Sequence, residues 1–164
     1  MSWFATLETP VGVIGVMSDG SAITRVTWLP DPPAGAVPGS ERVLDEAVAQ
    51  LRDYFVGDRD ELDLPVDLGV QTDATMAVLS TLHETVRAGA TVTYGELAAR
   101  SGTAIPARGI GAIMGANPVP LIVPCHRVVA GDGLGGYSGG APGQGLATKR
   151  WLLEHEGALP TALF

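Results

Sequence analysis

Asn117-Pro118-Val119-Pro120-Leu121-Ile122-Val123-Pro124-Cys125-His126-Arg127-Val128-Val129 holds the only cysteine of a 164-residue chain, with a histidine directly after it. The prolines stiffen the approach, because each fixes φ and withholds an N–H. The apolar run Val119 to Val123 demands burial, so Cys125 stands where a buried segment ends. That placement holds one thiol in a fixed pose beside an imidazole. A lone buried cysteine ordinarily acts as a small hydrophobe. A Pro-Cys-His-Arg run is a poor design for inert packing and a good one for a thiolate poised by His126 and Arg127.

Upstream of this stretch, Val92-Thr93-Tyr94-Gly95-Glu96-Leu97-Ala98 opens a helix, and Ser101-Gly102-Thr103 is a turn. Pro106-Ala107-Arg108 starts the next helix, which runs through Ile110 and Ile113 to about Ala116. Two short helices across a Gly-containing turn read as a helix-turn-helix, with a basic residue opening the second. Downstream, Gly131 to Gly140 carries six glycines around Tyr137 and Ser138. It lacks the strand, turn and lysine of a phosphate-binding loop. It reads instead as a glycine-lined wall beside a flat ligand. Leu146 to Glu156 is a last helix, and Gly157 to Phe164 a loose tail.

The unbroken Pro-Cys-His-Arg-Val at Pro124 to Val128, with its Asn-Pro-x-Pro lead-in at Asn117 to Pro120, resembles the active-site signature of the O6-alkylguanine-DNA alkyltransferases. The resemblance spans about residues 5–157, strong from Tyr94 to Glu156 and loose before Thr93. It implies an α+β fold. A small N-terminal antiparallel sheet with a helix, ribonuclease H-like, occupies residues 1–70. A mostly helical domain of winged helix-turn-helix type occupies 71–164. It implies a DNA repair protein that flips O6-alkylguanine out of duplex DNA and moves the alkyl group irreversibly to Cys125, without a cofactor.

Residue roles follow from the same resemblance. His126 is the base, oriented by Glu156, and Asn117 braces the Asn-Pro loop. Arg108 enters the vacated base stack, and Tyr94 crowds the phosphate. Thr93, Ala107 and Arg127 join the DNA contacts. Tyr137, Ser138, Val128, Pro120 and Lys149 belong to the guanine pocket. Taken on their own, Arg108 reads equally as a solvated helix-start residue, Tyr94 and Tyr137 as packing, and Glu156 as a surface carboxylate. The helix over Thr75 to Val86 departs from the family: Thr75-Met76, Ser80 and Val86-Arg87 stand where members carry Phe-Gln, Trp and Ile-Pro. Ala141 to Gly145 lengthens the loop after the Ser-Gly-Gly.

The first 70 residues read as strands Trp3 to Glu8, Val13 to Met17 and Ala22 to Leu29, joined by tight turns as an antiparallel meander. A loop follows over Pro30 to Gly39. A helix over Ser40 to Val56 follows, with Ser40 as its N-cap, then a short edge strand over Leu62 to Leu68.

Net charge is −8, which argues against nucleic acid until its distribution is read. Residues 1–70 carry 12 acids and 4 bases; within 85–153 there are 6 bases and only Glu96 and Asp132 as acids. The acidic and the mildly basic parts have separate work to do. No run of 18 apolar residues exists and the N-terminus has no leader pattern. One cysteine suits a reducing compartment, so the protein is expected in the cytoplasm, as a monomer without contact to membrane. The N-terminal half contains neither Cys nor His, so no metal is expected. Other readings of the motif are a lesion-binding relative, against which Cys125 itself argues, and a methylation-sensing regulator, which would need a cysteine-rich module. A Cys-His hydrolase would not need Arg108 or Tyr94.

Overall fold

A computed structural model describes residues 1–28 and 36–160. Strands β1 (Ser2–Thr9), β2 (Gly12–Ser18) and β3 (Ile23–Thr27) form the expected antiparallel meander. Thr9 and Asp19 close its two turns by accepting N–H groups two and three residues ahead. A fourth strand, β4 (Ala36–Pro38), pairs parallel with β1, so the sheet is mixed rather than antiparallel, in the order β3-β2-β1-β4. It falls within the stretch read as a loop; the rest of that loop, 30–35, lies outside the described residues. The edge strand expected over Leu62 to Leu68 shrinks to a single bridge from Val66 to Ile23. Ile23 N–H donates to the Pro65 carbonyl and Asp67 N–H returns a bond to the Ile23 carbonyl; Pro65, with no N–H of its own, cannot extend the ladder further back.

Helix α1 (Arg42–Val56) lays Val43, Leu44, Ala47, Leu51, Tyr54 and Phe55 into the core beneath the sheet. Its N-cap is Glu41, not Ser40. The Glu41 carboxylate accepts from Val43 N and Leu44 N, while Ser40 Oγ donates to Asp45. An anion there also suits the positive helix end. Helix α2 (Asp73–Thr85) is capped by Thr72 and buries Val78, Leu79 and Leu82. The changed residues of this helix therefore leave it a complete apolar face.

Helix α3 (Tyr94–Ser101) starts on a capping box in which Thr93 and Glu96 exchange hydrogen bonds. Helix α4 (Ala107–Gly115) follows across the Gly102 turn. Strands β5 (Val92–Thr93) and β6 (Val128–Val129) pair parallel, tying the start of α3 to the end of the cysteine segment. Helix α5 (Gly145–His155) packs behind that segment. One continuous core joins the sheet, α1 and the C-terminal helices, from Leu7 to Leu152.

Candidate active site

Asn117 shapes the approach to the thiol. Its Nδ2 donates to the Val123 carbonyl at 2.8 Å, and its Oδ1 accepts from Val119 N at 3.1 Å. Leu121, between them, holds φ at 75°. A left-handed non-glycine residue costs about 1–3 kcal/mol, so the packing around this buried loop must over-determine its path. Cys125 to Arg127 then turn once in a 3-10 helix, and all three residues are buried.

Burial pushes the Cys125 thiol up; a hydrogen bond from Asn117 and the charge of Lys149 only partly offset it. The resting group is thus a thiol and needs a base. His126, beside it, donates Nε2–H to Glu156 Oε2 at 2.8 Å. With a carboxylate on Nε2, the proton belongs there and Nδ1 is the basic nitrogen. Nδ1 is buried and has no hydrogen-bond partner among the described residues. Burial would raise the Glu156 carboxyl, but the His126 and Arg127 hydrogen bonds and charges lower it to about 2. Glu156 therefore stays ionised and orients the imidazole without taking its proton.

Glu156 is held from two further directions. Arg127 Nε and Nη2 reach its two oxygens at 2.9 and 3.1 Å, and the Tyr54 hydroxyl donates to Oε2 at 2.7 Å. Burial and the nearby Glu156 charge push the Tyr54 phenol far upward, so it remains a donor. Arg127 was expected at the DNA. It is buried, and Nη1 is spent on the Val86 carbonyl. Its guanidinium is therefore turned inward onto Glu156 rather than out toward solvent.

Lys149 is fully buried at the other side of the thiol. Its Nζ bonds the carbonyls of Val128 and Gly136 at 2.6 and 2.9 Å, and burial lowers its pKa to about 8. It pins the glycine-rich stretch to the cysteine segment. Val128 N–H donates to the Cys125 carbonyl. Each of the Cys125 and Val128 carbonyls keeps a second lone pair.

Two clefts of about 300 Å³ each open onto Cys125 and share Met114, Gly115 and Ser138. One is completed by Tyr94, Gly111, Gly136 and Tyr137. The Tyr137 hydroxyl is buried there with no partner among the described residues. The other is completed by Asn117, Pro120, the loop Gly139 to Pro142 and the end of β3. Gly135 shows why glycine lines this wall: at φ 72° a Cβ would lie 2.8 Å from the Tyr94 hydroxyl. Tyr94 opens α3 half-buried, whereas Ala107 and Arg108 open α4 exposed. The helix pair thus leaves Arg108 exposed at the start of α4, while Tyr94 lines the cleft.

The ribonuclease-like domain of 6-O-methylguanine DNA methyltransferase matches residues 3–68, and the DNA binding domain of the same family matches residues 73–158. The chain belongs to the 6-O-methylguanine DNA methyltransferase family. A Mycobacterium tuberculosis relative named methylated-DNA--protein-cysteine methyltransferase is 37% identical over 95% of this chain and 93% of its own length. A Mus musculus protein of the same name is 39% identical over 96% of this chain and 82% of its own. The crystal structure of Mycobacterium tuberculosis O6-methylguanine methyltransferase superposes with a TM-score of 0.83 at 36% identity, covering 99% and 98% of the two chains. A crystal structure of the Mycobacterium tuberculosis protein in complex with DNA superposes with a TM-score of 0.82 at 35% identity, covering 95% and 93%.

Within this methyltransferase fold, Cys125, His126, Glu156 and Asn117 come together as the sequence suggested. Pro120, Tyr137 and Ser138 line the clefts at Cys125, and Lys149 holds the Val128 and Gly136 carbonyls together. Thr93, Ala107 and Arg108 form a separate group at the starts of α3 and α4. Two residues at the site were not among the expected site residues. Tyr54 looked like one more apolar position of α1, and Trp28 like the end of a strand. Tyr54 contacts Glu156 from 102 positions away, a pairing that no local pattern encodes.

Proposed function

We propose that this protein repairs O6-alkylguanine in duplex DNA by transferring the alkyl group to its own Cys125, once per molecule. The duplex meets the starts of α3 and α4. Arg108 enters the stack as the target nucleotide rotates out, and Tyr94 crowds the phosphate that must turn. Extrusion costs a few kcal/mol, which these contacts offset. The guanine enters the cleft between Tyr94 and Tyr137. The Cys125 and Val128 carbonyls accept from its amino group, and Tyr137 and Ser138 donate toward O6.

The thiol proton passes to His126 Nδ1, directly or through one water. The sulfur lone pair forms the S–C bond as the C–O6 bond breaks, and that electron pair stays on guanine, which takes a proton and leaves neutral. The resulting thioether has no group poised to reverse it. The site is complete within one chain, which suits a monomer, and a thiol that must stay reduced suits the cytoplasm.

The observation that carries this reading is the buried, unpaired Nδ1 of a histidine whose other nitrogen is fixed to an ionised Glu156, next to the only cysteine. Intact mass after mixing with duplex DNA bearing one O6-methylguanine tests it. The protein gains one methyl group at Cys125, and Cys125→Ala gains none. Unmodified protein still bound to the lesion would instead make it a lesion-recognition protein.

A further inference from the structure

Among the described residues, two carboxylates stand within 4 Å of the Arg127 guanidinium, Glu156 and Glu61. Glu156 orients His126. Glu61 lies in the N-terminal part, in the loop after α1, and has had no role so far. We propose that Glu61 is a positioning residue of the relay: acting through Arg127, its charge balances the positive imidazole that forms when His126 takes the thiol proton. The proposal deepens the repair reading above, and it rests on that reading only for the alkyl donor.

A count of charges gives the reason. Before proton transfer, Arg127 and Glu156 cancel. Once the proton is on His126, the group of His126, Arg127 and Glu156 holds two cations and one anion. A buried excess charge is costly unless another charge meets it. Glu61 meets it at the end of the guanidinium that Glu156 leaves free. Arg127 Nη1 donates to the Val86 carbonyl at 2.8 Å, and Glu61 Oε2 stands 3.5 Å from the same nitrogen. At that distance the contact is an ion pair rather than a hydrogen bond, so it acts through charge.

The carboxylate is also held in place. Its Oε1 accepts from Ala88 N–H, and Arg59 Nη1 donates to the Glu61 carbonyl at 3.2 Å. Two residues on, the backbone of Asp63 exchanges hydrogen bonds of 3.0 and 2.8 Å with the buried side chain of Gln50 on α1. An exposed ion pair is worth little because two mobile side chains must be ordered and water screens them. Here the Arg127 side chain is 4% exposed and Glu61, at 40%, is tied down, so the fold has ordered both. Glu61 lines neither cleft at Cys125. It lines a separate one of about 300 Å³ with Tyr54, Pro124 and Arg127, so its influence on the thiol runs through the relay.

Glu61→Gln tests this, because it keeps an oxygen for Ala88 N–H and removes the charge. The first readout is alkylation of Cys125 by iodoacetamide, followed by intact mass. Sulfur displaces iodide and the thiol proton passes to His126, with no guanine or DNA involved. The rate falls about fivefold in the variant, the upper end for a part-exposed ion pair. A loosened fold would instead bare the thiol and speed this reaction. The second readout is methyl transfer from duplex O6-methylguanine at saturating DNA. It slows by the same factor, while the DNA concentration for half-maximal rate stays level or drops, since the variant carries one acid fewer. An unchanged or faster rate in Glu61→Gln overturns the proposal, even where Glu61→Ala is slow, because anchoring to Ala88 alone would then be at work. Wild type that never takes methyl from DNA, with iodoacetamide still slowed in the variant, would keep Glu61 in the relay and strike the repair reading.

Discussion

On the relay side of Cys125, Glu156 takes four hydrogen bonds from three side chains, and Arg127 spends its guanidinium on Glu156 and the Val86 carbonyl. On the cleft side, the Tyr137 hydroxyl has no partner among the described residues, and two spaces of about 300 Å³ meet at Cys125. On the relay side the polar atom left open is His126 Nδ1, which faces the proton-transfer step; on the cleft side it is the Tyr137 hydroxyl, which a ligand can complete. That difference is what a single-use nucleophile needs. The base must already be aimed, because no second turnover exists in which to correct it, while on the proposed reading the cleft's donors must not be spent on the protein. Damage to the relay should therefore remove the chemistry, and damage to the cleft or the DNA face should be graded by substrate.

Glu156→Gln is the largest expected break. The amide cannot hold a positive imidazole, and it leaves Arg127 buried without its anion. Transfer slows by about 10²–10⁴-fold, the range for losing positioned base catalysis. Stability falls by roughly 3–5 kcal/mol, as for half of a buried ion pair removed. Wild type shows the same dependence in its pH profile. The Glu156 carboxyl is lowered to about 2 in the folded state, so its contribution is whole above pH 4.5 and is lost as pH falls from there toward 2. Stability measured by denaturant at pH 7, 4 and 3 should decline steeply in wild type and little in Glu156→Gln. Matching declines would mean that other carboxylates govern the acid limb.

Arg108→Ala comes next and acts on the other side. It lowers repair of duplex O6-methylguanine by tens of fold, since filling the stack recovers part of the few kcal/mol that extrusion costs. Reaction with free O6-benzylguanine, which needs no flipping, keeps its rate. Equal losses on both substrates would remove Arg108 from the flipping step and return it to a solvated helix start.

The contrast between the sides also explains what was legible in the sequence. Pro124 to Val128 and Asn117 to Pro120 could be read directly, because a buried apolar run ending in Cys-His has little other use. The β1–β3 meander was legible because each turn is closed by its own Thr9 or Asp19. The parallel pairing of β4 was not, since three residues of strand carry no pattern and the partner is β1, far back in the chain. Arg127 was misplaced because a basic residue near a DNA-binding motif looks exposed by charge alone. Its burial follows from Glu156, Glu61 and the Val86 carbonyl converging on it, which only the folded chain displays. The cap of α1 slipped by one residue because Ser40 and Glu41 both offer an oxygen, and the geometry of the entering chain chose between them.

The smallest effect tests whether the N-terminal part belongs to the relay at all. Tyr54 reaches Glu156 from α1, so the domain that carries the sheet also holds the orienting carboxylate. Tyr54→Phe keeps the ring, with its edge-on contacts to Phe55 and His155, and removes only the hydroxyl. Arg127 still fixes Glu156 through two bonds, so transfer should slow only about fivefold, as for one hydrogen bond of roughly 1 kcal/mol. The sharper readout is acid stability. One donor fewer lets the folded-state Glu156 carboxyl rise from about 2 toward its ordinary range, so less stability is gained above pH 4.5 and less is lost on the way down. The difference in unfolding free energy between pH 7 and pH 3 should therefore shrink in Tyr54→Phe, together with the rate. A slower reaction with an unchanged acid limb would mean that Tyr54 supports the fold nearby without touching the charge on Glu156, and the relay would then end at Arg127.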